Sequence, residues 1–171
     1  MSPRSGAGLC WFLGRQLAYF ESQSQGFVSV PLPSLPEAAE SFLTCVAVEG
    51  VPGQPQQALV AVNSASTGAL YRWSAGVLNP TPLAQPDGVR RFYDIRPAGS
   101  ALFIAASDGL WRWEPSGRWE PLVRGESLNS LVGGMGFFRL IPDEKLPGVL
   151  WAFGGSGFSA VGGLVARIEG S

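Results

Sequence analysis

The residues able to do chemistry in this chain are few, and their spacing argues against most reactions. The run GSGFSA at 155–160 has the loose glycine spacing of a dinucleotide-binding turn and follows the apolar stretch 149–153. Such a turn must open a helix whose first N–H groups hold the pyrophosphate, with an acidic residue about 20 positions further on. Gly162 and Gly163 break that helix, and no acid stands at that distance, so the run is expected to be a turn. The chain has no histidine. This removes Ser-His-Asp and Cys-His nucleophiles, the HExxH zinc site and every metal set that includes imidazole. Two cysteines cannot complete a structural zinc site. Asp143 and Glu144, in a loop bounded by Pro142 and Pro147, offer carboxylates for calcium or acid–base work, but two acids alone describe a solvated loop. The sequence therefore predicts a non-enzyme with no cofactor, no metal and no catalytic residue.

Composition bounds the rest. With 171 residues, 46% hydrophobic and 15% charged, the chain is expected to form one ordered domain with a sizeable core. A formal net charge of −1 supplies no electrostatic footprint for a phosphate backbone, so nucleic acid is not expected as a partner. The apolar run 6–14 is too short for a membrane span, contains Trp11 and meets Arg15 at once, with no small-residue cleavage site. It reads as a strand, which predicts neither export nor membrane insertion and a cytoplasmic location. Cys10 and Cys45 are then expected to be reduced thiols among apolar neighbours.

The 23 glycines and 14 prolines are scattered, cutting the chain into many short segments as in an all-β protein with frequent turns. One phrase recurs. SDGLWRWEPSGRWEPL at 107–122 carries three of the six tryptophans, and TGALYRWSAGVLNPTPL at 67–83 repeats it more weakly. Setting LYRW at 70–73 on LWRW at 110–113 brings ALVAV at 58–62 near ALFIA at 101–105, so each unit holds a strand, a turn and a second strand. A third strand follows each at 77–83 and 117–122, and a fourth precedes each at 43–48 and 92–96. The ends fit less closely, with LAYF at 17–20 and VARI at 165–168 in place of the phrase. The predicted units span 8–33, 43–83, 92–124 and 135–168, about fourteen strands in all. The linker 34–42, with the capping-box pair Ser34 and Glu37, admits one or two helical turns.

Four-stranded units of about 40 residues, repeated radially, make a β-propeller. The phrase ALFIAASDGLWRWEPSGRWEPL resembles a blade of the Asp-box or YCF48-like propellers, except that EPSGRW at 114–119 stands where the Asp-box has Asp and Thr. The resemblance implies an all-β, propeller-like array of about four small antiparallel blades, either closed or left open. It implies no reaction, because in that family the box is a turn device. In such an array the Trp111/Trp113 and Tyr71/Trp73 pairs are core between blades, and Trp119 is the aromatic expected at the surface.

Charge is distributed unevenly. Glu21, Glu37, Glu40 and Glu49 fall in a stretch without Lys or Arg, whereas Arg90, Arg91, Arg96, Arg112, Arg118 and Arg124 fall within 35 residues. Such polarity orients docking or self-assembly. The expected function is a protein-interaction or scaffold module, a subunit of a homo- or hetero-complex. Its candidate surface comprises Trp119, Arg118, Arg90, Arg91 and Arg124. A glycan-binding propeller is the alternative, and a propeller hydrolase with a degenerate site the third.

Overall fold

A computed structural model of the chain describes residues 16–21, 26–33, 35, 42–49, 57–64, 67–74, 77–89, 91–98, 100–124, 136–155 and 163–169. Among them every regular element is a β-strand: β1 (Gln16–Glu21), β2 (Gly26–Pro31), β3 (Phe42–Glu49), β4 (Gln57–Asn63), β5 (Gly68–Ser74), β6 (Val77–Leu78), β7 (Phe92–Ala98), β8 (Ala101–Ala106), β9 (Gly109–Trp113), β10 (Trp119–Arg124), β11 (Gly136–Pro142), β12 (Val149–Gly155) and β13 (Gly163–Glu169). They form four antiparallel sheets in chain order: β1-β2, β3-β4-β5-β6, β10-β9-β8-β7 and β11-β12-β13. The protein is all-β, as expected. The strand expected at 6–14, the residue Cys10 and nearly all of the linker 34–42 lie outside the described residues. Two compact units divide the chain at Leu83 and Ala84, each holding two of the sheets.

Turn chemistry sets the hairpins. Ser107 and Asp108 alone join β8 to β9, and the chain turns through Gly109 at φ +147°. A Cβ there would stand 2.0 Å from the Val123 carbonyl oxygen, so only glycine lets β10 close on β9. At the other end of β9, Glu114 accepts the Gly117 N–H at 2.8 Å and donates its own N–H to the Arg118 carbonyl at 3.0 Å, with Gly117 at φ +91°.

The second and third sheets repeat one register. Ala58 pairs with Trp73 and Val60 with Tyr71, as Leu102 pairs with Trp113 and Ile104 with Trp111. The structural counterpart of 58–62 is therefore 102–106, one residue beyond the match suggested by the shared Ala-Leu letters. The shift matters because a one-residue slip turns every side chain to the other face. Loop length hides the true frame from the sequence: six residues separate Val62 from Ala69, and two separate Ala106 from Gly109.

A β-bulge marks the first strand of three sheets at one register position. Thr44, Tyr93 and Phe138 are the extra residues, after which Cys45, Asp94 and Arg139 face Ala61, Ala105 and Phe153. The strand expected over 77–83 shortens to Val77–Leu78, because Pro80 and Pro82 have no N–H for the ladder. Asn79 and Leu83 still donate to the Arg72 and Leu70 carbonyls, both at 2.8 Å.

The second, third and fourth sheets each have an aromatic face, the one that carries Tyr71/Trp73 and Trp111/Trp113 or their register equivalents, and an arginine face, the one that carries Arg72, Arg112 and Arg167. In the first unit, Val30 and Leu35 pack on the aromatic face of the second sheet, against Ala58, Val60, Val62, Tyr71 and Trp73. Burial there pushes the Tyr71 hydroxyl pKa above its ordinary value. In the second unit, the arginine face of the third sheet, through Ala101, Phe103, Ala105 and Leu110, meets Leu140, Leu150, Ala152 and Ile168 of the fourth. All six residues of β8 are buried, so both alternating sets must be apolar.

Replacing Trp113 or Trp73 with Ala is expected to destabilise the fold by about 3–5 kcal/mol, as for other buried large aromatics, since the two are only 1% and 4% exposed. Half-buried Trp119 should cost much less on the same substitution. Urea denaturation of the three variants checks the order, and equal midpoints for all would refute it.

Candidate functional site

The residues singled out from the sequence spread along the third sheet. Trp119 opens β10 opposite Trp113 and leans diagonally onto Trp111, ring edge to ring face, with centroids 6.1 Å apart. It is half-buried, and its indole N–H donates to the Ala84 carbonyl at 2.9 Å. Arg124 ends β10 opposite Gly109 and sets its exposed guanidinium 5.4 Å from the Trp111 ring centroid. A second bulge, between Pro121 and Val123, gives β10 the extra residue Leu122, after which Val123 packs on the core shared with the fourth sheet.

Arg91 is exposed at the turn end of the sheet, where its N–H donates to the Ser107 hydroxyl at 3.2 Å and its carbonyl accepts the Ser107 N–H at 2.9 Å. Arg118 is exposed on the hairpin tip at the opposite end of β9. Five strand residues, roughly 17 Å, separate these ends. Trp119 and Arg124 thus meet at one indole, while Arg91 and Arg118 stand apart. Arg90 lies outside the described residues.

Two aspartates beside turns are occupied structurally. Asp108 accepts the Trp111 indole N–H at 3.0 Å. Asp143 accepts the Trp151 indole N–H at 2.9 Å and the N–H groups of Lys145 and Leu146 at 2.9 and 3.1 Å. That carboxylate, weighed above as a calcium or acid–base candidate, is a turn lock. The Trp151 hydrogen bond leads the causes that hold its pKa below the ordinary value. Among the described residues, no group of three or more Cys, Asp or Glu side chains is placed to hold a metal ion.

Among the described residues the buried carboxylate is Asp94, 5% exposed, directly after the bulge in β7. Its Oδ1 accepts the Ile95 N–H and its Oδ2 the Leu140 N–H, both at 2.9 Å, tying the third sheet to β11 of the fourth. Arg96 stands 3.2 Å away and Arg139 3.9 Å. Each oxygen accepts a backbone N–H, so Asp94 is a sheet-to-sheet bolt.

One surface was missed in the sequence. The arginine face of the fourth sheet carries Ile141, Phe153 and Val165, at 46%, 38% and 56% exposure, beside half-buried Trp151. Arg139 and Arg167 flank them, and Arg167 pairs with Glu169 on the same strand. The signal was present: 149–153 reads VLWAF, apolar at consecutive positions, which is the pattern of a strand meant to be covered on both faces. Here one face is covered and the other faces solvent.

The sequence matches no known protein family and no characterised protein. No helix among the described residues is long and apolar enough to cross a membrane.

Asp94→Ala should leave two buried N–H groups without acceptors and cost about 2–6 kcal/mol, at about 1–3 for each. Asp94→Asn, which keeps one carbonyl acceptor, should fall between; chemical denaturation of both variants checks the order. The lowered Asp143 pKa contributes stability that is present above the unfolded carboxylate value, about 4, and is lost as pH falls through the lower folded value. Melting temperatures recorded from pH 7 down to pH 2 should show a flatter acid limb for Asp143→Ala than for the parent.

Proposed function

We propose that the chain is a non-catalytic protein-interaction module: a propeller-like series of small antiparallel blades that works in the cytoplasm as a subunit of a larger complex. The observation that carries this proposal is the fourth sheet, whose arginine face leaves an apolar residue exposed on each of its three strands, Ile141, Phe153 and Val165. Bulge position and register recur from sheet to sheet, and this supports a radial repeat. Faces are also used in one sense: the aromatic face of the second sheet meets the first sheet, and the equivalent face of the fourth meets the third.

The glycan-binding alternative needs aromatics exposed at equivalent sites. Tyr71, Trp73, Trp111 and Trp113, the aromatics that do recur, are 1–4% exposed, which favours the interaction module. A hydrolase needs an acid–base pair open to a substrate, and the carboxylates of Asp94, Asp108 and Asp143 are each bonded within the fold.

Tagged chain, released by gentle lysis of the cells that make it, is expected to sediment far above its own 18.1 kDa and to show no turnover of sialosides, simple esters or phosphate esters. Migration as a lone chain together with robust hydrolysis abolished by one carboxylate substitution would overturn the proposal.

A further inference from the structure

The two sheets of the second unit show how an arginine face is covered in this chain. On the third sheet it is built from Ala105, Phe103 and Leu110, with Asp94 just after the bulge, and the fourth sheet lies over it. The register gives each of these residues a counterpart on the fourth sheet. Phe153 corresponds to Ala105, Trp151 to Phe103, Val165 to Leu110 and Arg139 to Asp94. The fourth sheet therefore repeats the surface that accepts a neighbouring sheet, with one change at its polar anchor. Where the third sheet aims a carboxylate at an incoming N–H, that of Leu140, the fourth presents a guanidinium.

A guanidinium has only donors, so whatever lies over it must bring acceptors. The Arg139 side chain is 68% exposed, and its ion-pair partner, Asp94 at 3.9 Å, is shared with two N–H groups and Arg96. Arg167 adds a second cation, paired with Glu169. Two copies packed through this same face would each bring two cations, Arg139 and Arg167, and one acid, Glu169, which is already paired with Arg167, so a second copy supplies no free acceptor for Arg139.

We propose that the arginine face of the fourth sheet docks an antiparallel sheet of a partner protein, with apolar side chains over Phe153 and Val165 and a carboxylate over Arg139. This rests on the interaction-module proposal and names its surface and the chemistry of its partner. Sheet-on-sheet contact needs alternating apolar residues on the incoming face, and the acid sets which partner is accepted.

The test uses the full chain carrying photoreactive benzoylphenylalanine at Val165 or, as a control, at Ser116 on the exposed hairpin tip, irradiated in the cells that make the protein. At Val165 the expected adduct joins one partner through a peptide in which apolar residues alternate around an Asp or Glu. With the purified complex, Arg139→Glu should weaken binding about tenfold or more, and changing the partner's acid to Arg should restore it. A variant that had merely unfolded could not be rescued in this way. Val165→Lys, at an exposed position, should weaken binding while keeping the parent melting temperature. An adduct to a second copy of this chain, an adduct to a partner peptide without an acid, or failure of the charge exchange overturns the proposal. Adducts at Ser116 alone overturn this face and leave the interaction module standing; adducts at neither position count against both.

Discussion

A β-strand covered on both faces must be apolar at every residue, not at alternate ones, and it must hold its register. That constraint governs this chain. β8 has all six side chains buried, and residues 58–63 of β4 are buried throughout. Their backbone groups are satisfied by strands on either side, β3 and β5 around β4, β7 and β9 around β8. Outer strands of the same sheets can be short or irregular because less is asked of them: β6 pairs only two residues, and β10 carries a bulge.

Two-sided burial leaves few places for polar groups, and those present are used as fasteners. Asp94 holds a donor from its own strand and one from the neighbouring sheet. Asp108 and Asp143 each take an indole N–H beside a turn, so a large ring can be buried without stranding its one polar atom. Arg112 spans Glu114 and Glu120 at 3.5 and 3.3 Å, pinning the β9–β10 hairpin from the outside. Asp94, Asp108, Asp143 and Arg112 thus join strands or lock turns.

The fourth sheet departs from the rest in one respect. Its aromatic face is packed, through Leu150, Ala152 and Ile168, while its arginine face leaves Val165 more than half exposed. An apolar residue on a sheet face is ordinary when covered and costly when wet. The two faces of this one sheet thus differ in cover although both carry apolar residues.

Much of the architecture was legible in the residues. The recurrence of LYRW and LWRW, the Asp-Gly turn and the runs of consecutive apolar residues specify short antiparallel strands in repeated units, because alternation, turn chemistry and two-sided burial are local properties of a strand. Burial of Trp73, Trp111 and Trp113 followed from that pattern. The register between repeats did not, since shared letters placed Ala58 on Ala101 while the hydrogen-bond ladder placed it on Leu102. Nor did the use of Asp94, whose partner Leu140 lies 46 residues away. Trp119, expected at the surface, is half-buried because a carbonyl 35 residues earlier takes its N–H. Local sequence pattern specified short antiparallel strands and the apolar character of the inner ones, β4 and β8. Only the tertiary structure decided which sheet faces are covered, because covering is a relation between sheets distant along the chain, and no local pattern records it.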